Sequence, residues 1–150
     1  MLELYYQDIA QPANHNKLLQ FCTQLLKLCG VGDDSELTLL LTNNDIIAKL
    51  NLTYRNKNEA TDVLSFGNEK NEGLLADWPL NSGYLGDIAI SVEKVAENAE
   101  YFKVSYDEEL KRLIIHGLLH LQGYNHQTNN FNEPMLLKQE DLLRQLKVIG

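Results

Sequence analysis

The sequence predicts an α/β (α+β) fold in which about five helices pack on a small mixed sheet of four strands. Its apolar residues change between the period of two that is typical of strands and the helical period near 3.6, in the order β-α-β-α-β-β-α-α-α. The chain has 150 residues, of which 44% are hydrophobic and 23% are charged, as is usual for a domain with a hydrophobic core. We therefore expect residues 1–150 to form a single domain.

The first third of the chain predicts a strand, a helix and a second strand. Residues 2–8 are rich in Leu and Tyr, and leucines recur at every second position of residues 36–42, as in strands. Between these strands, a helix begins near Pro12 and ends before Gly30. Its apolar residues have helical spacing: Leu18, Cys22, Leu25, Leu26 and Cys29.

The middle of the chain predicts a second helix and two further strands. Asn43 is suited to cap the helix, and the polar residues 55–61 predict the loop that follows it. Residues 63–66 and 84–91 predict strands, which we expect to pair antiparallel. The polar stretch 67–83 between them predicts a long surface loop, which is either functional or a flexible insertion.

Three helices are predicted in the remainder of the chain. The first covers residues 92–102, and the second follows Ser105, which forms a capping-box pattern with Glu108. This second helix extends to Leu121 and has apolar residues around most of its surface, so we expect it to be buried against the inner face of the sheet. The last helix begins near Pro134.

Charge, hydropathy and cysteine spacing limit the class of protein. The formal net charge of −8 argues against broad nonspecific binding to nucleic acids, and we expect no DNA partner. No apolar run reaches the ~18 residues of a membrane span, and the first eight residues do not resemble a signal peptide, so we expect a cytoplasmic protein without a membrane partner. Cys22 and Cys29 would lie about 10.5 Å apart on a helix, which is too far for a disulfide bond.

Three of the four histidines lie within residues 116–126. His116 and His120 are four residues apart and therefore share one face of the predicted helix. Gly123 can end the helix and turn the chain, which would bring His126 to the same place. Three protein ligands and one open position are typical of catalytic zinc, so the sequence predicts a metal site that holds one zinc ion.

The histidine spacing matches the zinc-peptidase pattern H-E-x-x-H-x-x-G-x-x-H at all positions but one, which predicts a zincin-like metal helix. Position 117 is glycine, where a peptidase has its general-base glutamate. Since glycine cannot accept a proton, the metal ligands are present but the peptidase base is not.

Three stretches of the sequence together resemble the YbeY endoribonucleases, which are bacterial ribosomal-RNA maturation factors. The histidine stretch, residues 116–126, resembles the signature of that family. Tyr54-Arg55 followed by residues 61–66 (TDVLSF) resembles its central motif, and residues 85–88 (LGDI) resemble its later strand motif. The resemblance extends from about residue 37 to about residue 140.

The resemblance implies a single-domain α/β fold with zinc bound by His116, His120 and His126. It also implies endonucleolytic cleavage of single-stranded RNA, in the maturation of the 3′ end of small-subunit rRNA and in ribosome quality control. The implied partners are an rRNA precursor and the small ribosomal subunit or a protein associated with it. Arg55 matches the functional arginine of the family and is the catalytic candidate, whereas no substrate-binding residue is assigned.

The sequence differs from the family pattern at three positions. Asn125 precedes the third histidine where the family usually has Asp, Ala60 replaces a usual Pro, and Asn58 stands where Asp is common. Asn125 can accept a hydrogen bond but supplies no charge. The roles of Asp62 and Ser65 stay open, because either residue can shape the site or cap a turn.

Arg55 suits the reaction because a guanidinium group matches phosphate oxygens in a bidentate manner. The alternative for Arg55 is an exposed loop cation without a role in catalysis.

The proton acceptor stays unassigned among a metal-bound hydroxide, a substrate 2′-hydroxyl group and a carboxylate distant in sequence. Two other classes of function remain, a zinc peptidase-like hydrolase and a non-catalytic, zinc-stabilised protein that binds the ribosome.

Overall fold

The computed structural model describes residues 2–32, 34–67, 84–130 and 132–149. In these ranges one sheet contains the strands β1 (Leu2–Tyr6), β2 (Glu36–Thr42), β3 (Val63–Gly67) and β4 (Tyr84–Ser91). Their order across the sheet is β1-β2-β4-β3. β2 pairs in parallel with β1 and β4, whereas β3 pairs antiparallel with β4 and places Ser65 opposite Ile88. The mixed four-stranded sheet and its antiparallel pair are therefore confirmed.

Helices cover most of the remaining described chain. They are α1 (His15–Leu28), α2 (Asn44–Arg55), α3 (Val92–Phe102), α4 (Tyr106–Leu121) and α5 (Pro134–Ile149). The predicted caps are present, since Asn43 Oδ1 accepts from the Ile46 amide at 3.0 Å and Ser105 Oγ accepts from the Glu108 amide at 3.0 Å. Among the helices described, none has both the length and the apolar character needed to cross a membrane.

The two faces of the sheet bury different sets of side chains, because successive residues of a strand point to opposite faces. On one face, Leu39 and Ile88 belong to the larger core, which also includes residues of α1, α4 and α5. On the other face, Leu40 and Phe66 pack with Ile47 of α2. α4 contacts β3, β4 and α5, so it occupies the central, buried position that its apolar surface predicts.

Some boundaries differ from those that the sequence predicts. β1 ends at Tyr6 rather than at residue 8, because Asp8 has a left-handed φ of 57° that turns the chain. Arg55 is the last residue of α2 rather than part of the loop, and Asn56 then ends the helix with a φ of 59°. The long loop predicted for residues 67–83 lies, beyond Gly67, outside the described residues.

Both cysteines are free thiols, as their spacing predicts. Cys22 is buried in the core, and this burial raises the pKa of its thiol to about 12. Burial also raises the pKa of the half-buried Cys29. At neutral pH both side chains are therefore protonated and act as small apolar groups.

Candidate metal centre

The C-terminal half of α4 positions two of the predicted ligands. His116 and His120 lie one helical turn apart, and both are half-buried. Their rings meet edge to face with centroids 4.6 Å apart, and their Nε2 atoms are 3.1 Å apart. Between them Gly117 faces the sheet, so the two imidazoles project to one side of the contact between helix and sheet.

The turn after α4 brings the third histidine to the first two. Gly123 has a φ of 97°, and the next amide, of Tyr124, donates to the Leu119 carbonyl at 3.0 Å. The chain therefore reverses, and the His126 ring lies 5.3 Å from the His116 ring and 5.7 Å from the His120 ring. Each of the three histidines offers one ring nitrogen, and these three atoms lie within 4.8 Å of one another.

The free nitrogen atoms of this cluster suit a metal ion. His116 Nδ1 lies 2.7 Å from Gln139 Oε1, and His126 Nδ1 lies 2.8 Å from the Thr128 carbonyl oxygen. In both residues Nδ1 is engaged in these contacts, which leaves Nε2 of each ring available to bind a metal ion. Two nitrogens bound to one tetrahedral zinc at 2.0–2.1 Å are about 3.3 Å apart, which is close to the distance between His116 and His120. His116 and His120 therefore fit one metal ion with little rearrangement, and a nitrogen of His126 lies within 4.8 Å of theirs.

The electrostatic environment keeps two of these imidazoles neutral. Burial lowers the pKa of His116, although its contact with Gln139 and the nearby Asp62 carboxylate oppose this effect. Burial also lowers the pKa of His120, and the positive charges that His116 and His126 would carry add to this effect. Since a metal binds the unprotonated ring, the lowered pKa values extend the pH range in which the site can bind one.

Two residues of the site were not found from the sequence. Gln139 of α5 contacts His116, and Glu133 lies just before the same helix. Glu133 Oε2 accepts from the Gln127 amide at 3.1 Å, the Thr128 amide at 2.9 Å and the Thr128 hydroxyl at 3.0 Å. Glu133 thus fixes the loop that presents His126. Neither residue belongs to a recognisable motif, so their positions became apparent only when α5 was seen beside α4.

The model of the endoribonuclease YbeY family matches residues 4–147 of the chain. The protein belongs to the YbeY family. Endoribonuclease YbeY of Borreliella afzelii is 50% identical over 116 residues, which are 76% of this chain and 75% of that protein. Endoribonuclease YbeY of Levilactobacillus brevis is 38% identical over 154 residues, covering 95% and 94% of the two chains. The solution structure of TM1509 from Thermotoga maritima matches with a TM-score of 0.64 and 25% identity, covering 99% of this chain and 91% of that chain.

Arg55, the catalytic candidate predicted from the sequence, lies outside the histidine cluster. Arg55 Nη2 donates to the Ser65 carbonyl oxygen at 2.6 Å, and the guanidinium group lies over the Phe66 ring, 5.1 Å from its centroid. Ser65 is paired with Ile88, whose side chain faces Gly117 of α4. Arg55 therefore contacts the edge strand β3, and the Phe66 ring that it covers lies on the α2 face of the sheet, opposite the face that α4 covers.

Asp62 of the central motif has defined contacts, as do Asn125 and Ala60, two of the positions at which the sequence differs from the family pattern. Asp62 accepts from the Val63 amide at 2.8 Å and from Asn98 Nδ2 at 3.0 Å, so it caps the start of β3 and links that strand to α3. Asn125 hydrogen-bonds to His120, and this contact favours the protonated ring. Ala60, which replaces a proline in the family pattern, packs against the smaller core.

Two further residues considered from the sequence lie away from the cluster. Asn58 is exposed and is not part of the histidine cluster. The fourth histidine, His15, begins α1, and its Nδ1 atom lies 2.8 Å from the Tyr6 hydroxyl group. His15 is half-buried and is not part of the histidine cluster.

Proposed function

We propose that this member of the YbeY family is a zinc-dependent endoribonuclease that cleaves single-stranded RNA. It acts on an rRNA precursor, in maturation of the 3′ end of small-subunit rRNA and in ribosome quality control. It works as one domain, residues 1–150, in the cytoplasm, with the small ribosomal subunit or an associated protein as its partner. The observation that carries this proposal is the convergence of three histidines in a chain of this family.

His116, His120 and His126 would hold one zinc ion per chain. A zinc ion bound there would supply a water of pKa near 7 and would polarise a phosphoryl oxygen. The three histidines supply three protein ligands, as in catalytic zinc sites, whereas structural zinc usually has four, mostly thiolates. The lowered pKa values of His116 and His120 support this assignment, because they keep both rings unprotonated at neutral pH.

Arg55 is proposed to bind the phosphate group next to the cleaved bond. Its anchoring to the edge strand β3 supports this role, since the metal helix α4 also contacts β3. A guanidinium group can offer two parallel donors to a phosphate while the negative charge on its oxygens increases. The contacts of Arg55 with Ser65 and Phe66 hold its side chain against β3.

The two alternative functions are not favoured. A zinc peptidase needs a carboxylate at position 117, but a Cβ atom there would lie 2.8 Å from Ile88 Cγ2. Position 117 therefore lacks both the base and the space for it. A purely structural role for the metal would predict a fourth protein ligand, and within the described residues the cluster that could hold a metal consists of three histidines.

Metal analysis combined with cleavage assays tests this function. The purified protein should contain about one zinc ion per chain and should cleave single-stranded RNA but not an unfolded protein substrate. His120→Ala should lose both the metal and the cleavage, whereas His15→Ala, which removes a histidine outside the cluster, should retain both. Metal-dependent proteolysis without RNA cleavage, or full metal content in His120→Ala, would contradict the proposal.

A further inference from the structure

A chain of hydrogen bonds connects a partly buried ion pair to the first metal ligand. Arg112 of α4 contacts both carboxylate oxygens of Glu140, from Nε at 2.9 Å and from Nη2 at 3.0 Å. Gln139 Nε2 donates to Glu140 Oε2 at 3.1 Å, and Gln139 Oε1 lies 2.7 Å from His116 Nδ1. Gln139 is only 7% exposed, so water has little access to its contact with His116.

The direction of each hydrogen bond follows from the ion pair. A guanidinium group can only donate and a carboxylate can only accept, so Glu140 offers Gln139 nothing but acceptors. The amide of Gln139 must therefore turn its NH2 group to Glu140 and its oxygen to His116. Because that oxygen can only accept, His116 must carry its proton on Nδ1, and the lone pair of its neutral ring is on Nε2.

We propose that Arg112, Glu140 and Gln139 form a positioning relay that keeps His116 in the Nδ1–H tautomer and its Nε2 lone pair directed at the metal. The inference rests on the proposed metal centre and concerns residues that do not themselves touch metal or RNA. An imidazole without such a partner exchanges between two tautomers, of which only one has its lone pair on the nitrogen that faces the other histidines.

The surroundings of the relay keep it rigid. Arg112 Nη1 also contacts Glu109, which is 3% exposed, at 3.0 Å. Glu109 in turn accepts from Asn98 Nδ2 at 3.2 Å, and Asn98 also donates to Asp62 of the central motif. Residues of α3, α4 and α5 thus hold the guanidinium group in place, and the relay cannot reverse its polarity without breaking the Arg112–Glu140 ion pair.

Gln139→Leu is the variant that removes the relay, and Gln145→Leu is its matched control. Leucine has a similar size and keeps water out, whereas alanine would open the site to the adjacent cleft of about 440 Å³ that Gln139 lines. Gln145 is also in α5 and donates to a neighbouring carboxylate, Asp141, at 2.8 Å, but it is exposed and has no contact with a histidine. The two variants therefore differ in the contact with His116.

Zinc affinity, measured by competition with a chelator, should fall about 10- to 100-fold in Gln139→Leu and should not change in Gln145→Leu. Gln139→Glu, which keeps an acceptor towards His116 but loses the donor to Glu140, should restore part of the affinity. The tautomer of His116 can be read directly from long-range ¹H–¹⁵N correlations of the metal-free protein at mildly alkaline pH. The wild-type protein should show the Nδ1–H form, and Gln139→Leu should show a mixture that Gln139→Glu reverses.

These outcomes separate the relay from the proposed function. If the wild-type protein binds zinc but Gln139→Leu binds it equally well with His116 still in the Nδ1–H form, the relay is wrong and the metal centre stands. If the wild-type protein binds no metal and cleaves no RNA, the proposed function fails, while the tautomer measurement still decides whether the relay operates. An Nε2–H form of His116 in the wild-type protein would overturn the relay by itself.

Discussion

Gly117 of α4 and Ile88 of β4 are in such close contact that no side chain fits between them. A Cβ atom on residue 117 would lie 2.8 Å from Cγ2, 3.2 Å from Cγ1 and 3.1 Å from Cδ1 of Ile88, which is fully buried. The glycine therefore sets the distance between the metal helix and the sheet. The same contact removes the position at which a zinc peptidase carries its base, so the absence of glutamate here follows from how the helix packs.

We expect Gly117→Ala to lower the free energy of unfolding by about 1–2 kcal/mol. Overpacking a core typically costs 1–3 kcal/mol, and the better helix propensity of alanine offsets up to about 1 kcal/mol. The displaced helix should also weaken metal binding. Urea denaturation measures the stability change, and Gly67→Ala is the control because its new Cβ would be an acceptable 4.0 Å from Leu121.

A double-mutant cycle identifies the atoms responsible for the effect of Gly117→Ala. Ile88→Ala should be destabilising alone, but it should reduce the further cost of Gly117→Ala because the clashing atoms are gone. Additive effects of the two substitutions would show that another contact limits the approach of α4 to the sheet.

Arg55→Ala should slow RNA cleavage about 10²–10³-fold at saturating RNA without changing the zinc content, because one donor to the reacting phosphate is lost. Arg55→Lys should recover little, since an ammonium group cannot form the two-pronged contact. Single-turnover kinetics measure this rate, and Lys57→Ala, which removes a neighbouring exposed cation, should leave it unchanged.

Two other results for Arg55→Ala would redefine the residue. Weaker RNA affinity and a salt dependence reduced by about one phosphate contact, with a normal rate at saturation, would make Arg55 a binding residue. Normal rate and normal affinity would restrict Arg55 to its structural contacts with Ser65 and Phe66.

The metal-free protein should lose stability as the pH falls through about 6.5, which is the ordinary pKa of a histidine side chain. The pKa values of His116 and His120 are lowered in the folded state, mainly by burial, so the unfolded chain takes up protons first. The free energy of unfolding therefore falls below pH ~6.5 and levels off once the folded histidines are protonated. Denaturation in the presence of a chelator measures this change. The double variant His116→Asn/His120→Asn should show a weaker dependence of the free energy of unfolding on pH.

Glu133→Ala should weaken zinc binding by about tenfold, because the loop that presents His126 loses its anchor. The hydrogen bonds that Glu133 accepts from the Thr128 amide and hydroxyl lower its pKa, which shows that the carboxylate is ionised in this role. Hydrogen exchange of the Gln127 and Thr128 amides should accelerate in the variant. Asp141→Ala, at an exposed position of α5, is the control, and unchanged exchange in Glu133→Ala would mean that the loop is held by other contacts.

The sequence by itself determined the features that depend on neighbouring residues. The spacing of His116 and His120 places them on one helix face, and Gly123 supplies the turn toward His126, as the structure has them. The order of strands and helices was likewise readable, because side-chain periodicity is a local property of each element. The motif around Arg55 indicated the family, because a sequence motif also consists of residues close together in the chain.

Only the tertiary structure decided which distant residues support the metal site. Gln139 is 23 residues from His116 in the chain, and Ile88 and Ser65 lie on strands far from α4 in sequence. Nothing in the local pattern of α5 distinguishes Gln139 from its other polar residues. Contacts of this kind arise when separately formed helices and strands pack, since burial then decides which polar side chain must serve as the partner of which ligand.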